Sequence, residues 1–106
     1  MHWALVLAAL ATPPPEAAAI VAAARTDATK RFGVQVELAR IERVTWPDGS
    51  LGCPREDMAY TQALVPGWRM TLAAGGRSFE YHASERGLVV YCPPGRATPP
   101  LPDSKT

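Results

Sequence analysis

The sequence has no surplus of charge of either sign: eleven Lys and Arg stand against ten Asp and Glu, a net +1. Without a basic patch or a block of like charge, it carries no footprint for nucleic acid or an anionic membrane surface. Long apolar runs are missing too. The stretch from Trp3 to Ala11 falls well short of the ~20 apolar residues that a membrane-spanning helix needs, which excludes insertion. Histidine and cysteine number two each, too few and too scattered for a metal-ligand set, and no cofactor is expected. At 106 residues the chain has room for one domain and not for two.

What is there begins with that short apolar run. Trp3–Ala11 is followed at once by Thr12-Pro13-Pro14-Pro15, and Ala9-Leu10-Ala11 has the small-x-small form read by signal peptidase. Residues 1–11 are therefore expected to be a signal peptide and the chain to be secreted or periplasmic. No cysteine follows the run, so nothing supports lipid attachment. An even pair of cysteines in an exported chain points to a Cys53–Cys92 disulfide. Closing a loop of roughly 38 residues, it would contribute about 4 kcal/mol in the chain-entropy account. Each cysteine precedes a proline, as in some haem-responsive thiolate sites, but the surroundings hold no histidine-rich cluster.

Glu16 to Phe32 reads as a helix. Pro13–Pro15 supply its start, and Gly33 stands where a C-terminal glycine is wanted. Ile20, Val21, Ala24 and Ala28 form one shallow apolar stripe, and Asp27 with Arg31 is placed for an i,i+4 pair. From Val34 to Trp46 the pattern is β-like, but Val34, Val36 and Leu38 share one phase while Ile41 has the other. A bulge near Ala39 reconciles them. Pro47-Asp48-Gly49-Ser50 is a turn, and Leu51 to Met58 continues as a loop. Tyr60 to Val65 reads as strand, with Pro66-Gly67 as a bend or bulge.

Two hairpins follow. A two-residue turn at Gly75-Gly76 sets Leu72 opposite Phe79, Met70 opposite Tyr81 and Trp68 opposite Ala83, so apolar meets apolar on one face. A four-residue loop, Ser84–Gly87, then sets Ala83 opposite Leu88, Tyr81 opposite Val90 and Phe79 opposite Cys92. That register predicts Cys92 on the same buried face as the aromatic residues. From Pro93 to Thr106 the chain has no periodicity and reads as a disordered, proline-rich tail.

Candidate sites are few. Trp46-Pro47-Asp48 resembles the acid loop of tyrosine phosphatases, but no cysteine is spaced from an arginine as their phosphate-binding loop requires. Glu80, His82 and Arg69 share one sheet face, and a histidine beside a carboxylate can act as a base. No nucleophile is placed with them, and alternating polar residues on the outer face of a half-covered sheet look the same with no function. The aromatic residues Trp46, Tyr60, Trp68, Phe79 and Tyr81 read first as core.

The segments Trp46-Pro-Asp-Gly-Ser-Leu-Gly-Cys-Pro54, Tyr60-Thr-Gln62, Pro66-Gly-Trp68 and Phe79-Glu-Tyr-His82 resemble an uncharacterised family of small bacterial secreted proteins and lipoproteins. That family carries W-P-D-x-S-L-G-C-P, P-G-Y and Y-E-Y-H. The resemblance implies no activity. Here there is no lipobox cysteine, and Arg55-Glu-Asp-Met58 replaces the usual Pro-Gly after Cys-Pro. A helix followed by antiparallel strands is also similar in outline to cystatin-like and PepSY-like domains. Gln62-Ala-Leu-Val65-Pro-Gly67 is one residue longer than the Gln-x-Val-x-Gly hairpin that cystatins insert into cysteine proteases.

The resulting expectation is an α+β domain over residues 12–92, with one N-terminal helix on an antiparallel sheet of three to four strands. It is a monomer and not an enzyme, and it binds a protein or peptide, with protease inhibition as the sharper form. The candidate surface is Asp48, Leu51, Gln62, Pro66, Gly67 and Trp68. The alternative is a small hydrolase-type enzyme using Glu80 and His82.

Overall fold

Pro13–Pro15 do open the first helix, through a single 3-10 turn at Pro15–Ala17 that leads into α1, Ala18–Phe32. The computed structural model describes residues 11–102. Residues 1–10 of the expected signal peptide and 103–106 of the expected tail lie outside that range. Helix α1 ends at Gly33, whose φ of 71° lets its N–H turn back to the Thr29 carbonyl at 2.9 Å. The stripe of Ile20, Val21, Ala24 and Ala28 is buried as the spacing predicts. Its two alanines let the helix lie close to the sheet.

The sheet has four antiparallel strands in chain order: β1 (Glu37–Trp46), β2 (Val65–Ala74), β3 (Arg77–Ser84) and β4 (Val89–Cys92). One helix on this open sheet makes an α+β fold. The β1–β2 register shifts between Leu38 and Arg40, leaving Ala39 as the extra residue, so Leu38 and Ile41 both reach the helix side. The β2–β3 pairing runs Leu72 to Phe79, Met70 to Tyr81 and Trp68 to Ala83, the expected register. Strand β2 runs straight through Pro66-Gly67, which pair with Thr45 and Val44. Those two residues are strand and not a bend, while Tyr60–Leu64 is loop and not strand.

The second hairpin differs from expectation by one residue. Ala83 pairs with Val89, Tyr81 with Tyr91 and Glu80 with Cys92. The turn is Glu85-Arg86-Gly87, a three-residue loop with Gly87 at φ 108°. It is closed by the Ser84 N–H donating to the Leu88 carbonyl at 2.9 Å, and the Leu88 N–H donates to the Ser84 hydroxyl at 3.1 Å. A one-residue slip moves a strand's side chains to the other face. Val89 and Tyr91 therefore join the helix-side core, where Phe32 stacks on Phe79 at 4.1 Å and meets Tyr91 edge-on. Cys92 points to the opposite face.

That opposite face is covered. The 47–64 connection folds back across it, and Val44, Trp46 and Leu51 build a second apolar cluster flanked by Val65 and Val90. His82 lies beneath them with 0% exposure, not on open sheet. Cys53 comes down on this side and bonds Cys92, with their Cα atoms 5.7 Å apart. The pairing was expected; the face on which it lies was not. The proline-rich segment runs back along the domain. Thr98 donates its N–H to the Gly52 carbonyl at 2.8 Å, and Leu101 donates to the Thr45 carbonyl at 3.0 Å. Among the described residues no helix is long and apolar enough to cross a membrane.

Candidate functional site

Within the Trp46–Pro54 segment, Trp46, Asp48, Ser50, Leu51, Gly52 and Cys53 each have a local job. The Asp48 carboxylate accepts the Ser50 N–H at 2.8 Å and the Ser50 hydroxyl at 2.6 Å, which closes the turn. Leu51 follows at a φ of 57°, a left-handed conformation that costs a non-glycine residue about 1–2 kcal/mol. Its side chain is 1% exposed, and its carbonyl accepts a hydrogen bond from His82 Nδ1 at 2.6 Å. Those two attachments hold it there. Gly52 packs on the Trp46 ring so closely that a Cβ would stand 2.4 Å from Cζ3. Trp46 in turn stacks on His82 with centroids 4.4 Å apart and donates Nε1–H to the Ala83 carbonyl at 3.1 Å. The segment is a clasp that fixes the loop to β3, and the disulfide completes it.

His82 is the centre of that clasp. A carbonyl only accepts, so Nδ1 carries the hydrogen that meets Leu51. The other nitrogen, Nε2, is engaged by a Glu80 carboxylate oxygen. Glu80 also accepts from Arg69 Nε at 3.3 Å, and Arg69 reaches Glu42 at 3.7 Å. The Glu80–His82–Arg69 set thus comes together as the spacing predicts, but its histidine is sealed and both ring nitrogens are engaged. Among the described residues no group of three or more His, Cys, Asp or Glu is placed to hold a metal ion.

The clasp forms one wall of a groove. A cleft of about 560 Å³ lies between it and β4. A second, of about 540 Å³, lies between the Thr61–Pro66 segment and the β3–β4 loop. Gly49, Leu51 and Leu88 border both, so the two adjoin. Three large apolar side chains are exposed along the groove: Met58, Leu64 and Leu88, the last with 57% of its surface in solvent. The β4 end carries Arg31, Arg55 and Arg96, with no Asp or Glu among its lining residues. Arg31 is held by Asp27, at 2.9 Å between Nε and Oδ2. The same bond keeps the Asp27 carboxyl below the usual carboxylate range, against a smaller opposing effect of burial.

The residues expected to form a binding surface divide. Gln62 is exposed and donates to the Tyr60 carbonyl at 3.3 Å, and Pro66 is exposed on the rim of the second cleft. Asp48 is half-buried and supports the turn from within. Leu51 and Trp68 are corrections to the sequence reading: both are core, at 1% and 3% exposure, and Trp68 lies on the helix side of the sheet. Gly67 is buried in β2, where a Cβ would stand 1.9 Å from the Ala83 carbonyl oxygen. Leu88, Arg31, Arg55 and Arg96 were not anticipated. The signal that pointed to Leu88 was an apolar residue beside a Gly-containing loop, and the assumed register turned it inward.

The chain belongs to a family described as a domain of unknown function, DUF8738, whose profile matches residues 21–92. The match runs from within α1 to Cys92 and so takes in the clasp, both hairpins and the disulfide. No curated protein and no solved structure matches the chain.

Proposed function

We propose that this member of the DUF8738 family is an extracytoplasmic, non-catalytic monomer that holds a protein or peptide segment in the groove between β4 and the 49–64 loop. The observation that carries the reading is the groove itself: two adjoining clefts with exposed Met58, Leu64 and Leu88, walled by a loop that a disulfide and a buried histidine fix in place. Exposed apolar residues grouped along a concave surface mark interaction sites more often than scattered ones do. A preorganised wall also reduces the ordering cost of binding. The disulfide supports an oxidising compartment. The enzyme alternative would need His82 accessible, and its burial with both nitrogens occupied favours a structural role.

A displayed random peptide library selected on the oxidised, immobilised chain tests this reading. Selected peptides should lose about ten-fold or more in affinity against Leu88→Asp and against Val89→Pro. Both sites are on the groove rim, and proline is tolerated where a strand N–H faces outward. Peptides that bind both variants as well as the parent, or no enrichment at all, would overturn it. Protease inhibition is the narrower form, with exposed Gln62–Leu64 as the inserted segment. An unchanged papain rate at micromolar protein would remove that form alone.

A further inference from the structure

We infer that the occupant of the groove is an acidic, extended segment that adds to β4 as a fifth strand. The inference rests on the binding reading above and specifies its mode and chemistry. In an antiparallel ladder, hydrogen-bonded and non-bonded pairs alternate. The Ser84 N–H to Leu88 carbonyl bond fixes that phase. Leu88, Val90 and Cys92 therefore aim their backbone groups at β3, while Val89 and Tyr91 aim theirs outward, along the cleft. Among the described residues no backbone group bonds the Val89 N–H, the Val89 carbonyl or the Tyr91 N–H. The other edge of the sheet is treated differently. On β1 the Thr45 carbonyl accepts from Leu101, so the Trp46 end of that edge is covered. An uncovered edge beside a groove is the geometry of strand addition, in which backbone bonds give affinity and side-chain pockets give selectivity.

Charge selects the occupant. Arg31 approaches β4 from the helix side, with its guanidinium 5.2 Å from the Tyr91 ring centre. Arg55 and Arg96 approach from the clasp side, so the cleft straddles the sheet edge with cations on both faces. Among the described residues neither Arg55 nor Arg96 has a carboxylate within ion-pair reach, and Arg96 Nε is buried without a hydrogen-bond partner. A strand lying on β4 directs alternate side chains to the two faces. Carboxylates spaced by two along it would meet Arg55 and Arg96, and an apolar residue would lie over exposed Leu88. A second copy of this chain does not fit, because a two-fold β4–β4 contact would set the arginines against each other.

The test uses the oxidised chain and two fluorescent decapeptides of alternating strand-forming residues, one with Glu and one with Lys at every second position. The Glu peptide should bind about ten-fold or more tighter than the Lys peptide, and a double variant, Arg55→Glu with Arg96→Glu, should reverse the preference. N-methylation of the Glu peptide at alternate residues should abolish binding in one phase and spare it in the other, because only one set of N–H groups faces β4. Equal affinity for both peptides would overturn the acidic assignment, and equal effects of the two methylation phases would overturn strand addition. Either result would leave the groove reading to stand on the library selection. Failure of both peptides while library peptides bind the groove would overturn this inference alone.

Discussion

At the scale of single residues, the two adjacent side chains Tyr81 and His82 divide the stabilising polar contacts between the two faces of the sheet. The Tyr81 hydroxyl donates to the Asp27 carboxylate at 2.6 Å, joining β3 to α1. Replacing Tyr81 with Phe removes one hydrogen bond to a charged group. It should cost about 1–3 kcal/mol in urea unfolding at neutral pH. Burial, then the Asp27 carboxylate, raises the Tyr81 phenol well above its ordinary value near 10. A phenol that holds its proton more tightly when folded adds stability below the unfolded value, and that stability is lost as pH rises beyond about 10. Tyr81→Phe should therefore flatten the alkaline limb of the stability profile. Asp27 acts in the opposite window: its lowered carboxyl contributes above the unfolded value near 3.8, and the contribution is lost as pH falls through the lower folded one. His82→Ala should cost more, about 3 kcal/mol, because it leaves the Leu51 carbonyl without a partner, takes one of two partners from Glu80 and opens a cavity beneath Trp46. Equilibrium unfolding followed by tryptophan fluorescence reads it directly. Alternation puts Glu80, His82 and Arg69 on one face, but no local pattern says which distant loop covers a strand, so the burial of His82 is not legible from spacing.

At the scale of elements, what was legible is what short-range alternation decides. The helix stripe, the bulge at Ala39 and the Gly75-Gly76 hairpin each follow from spacing within a few residues, and each is present. The β3–β4 hairpin is the informative exception. Leu88, Val89, Val90 and Tyr91 are all apolar, so alternation there cannot separate a three-residue loop from a four-residue one. The Ser84 hydroxyl and Gly87 decide it instead. The price of that ambiguity was the whole inward or outward sense of β4, and with it Leu88 and the face of Cys92. Strand β2 shows a related limit: Pro66-Gly67 has the composition of a bend but sits in the ladder, because Gly67 is where β2 passes closest to the Ala83 carbonyl. Gly67→Ala forces those backbones apart and should destabilise by about 2 kcal/mol or more. A chemical melt compared with the control Gly76→Ala, where a Cβ meets nothing within 4 Å, isolates the effect.

At the scale of the whole molecule, the sheet is packed between α1 on one side and the clasp on the other, and the disulfide ties the outer layer to the last strand. The sequence disclosed the pair of cysteines, but which layer they join depended on the β4 register. Cys53→Ser with Cys92→Ser should lower stability by about 2–5 kcal/mol. The loss should fall chiefly on the 47–64 loop, measured as faster amide exchange there than in β2. Thiol titration of denatured, unreduced protein should find no free thiol. The contact of Leu101 carries one more implication. It joins the outer flank of β1, while β4 is the far margin of the sheet. A fluorophore or surface anchor attached at Leu101 would sit on the side remote from Arg31, Arg55 and Arg96, so the chain can be immobilised there for a binding assay with the β4 groove left open.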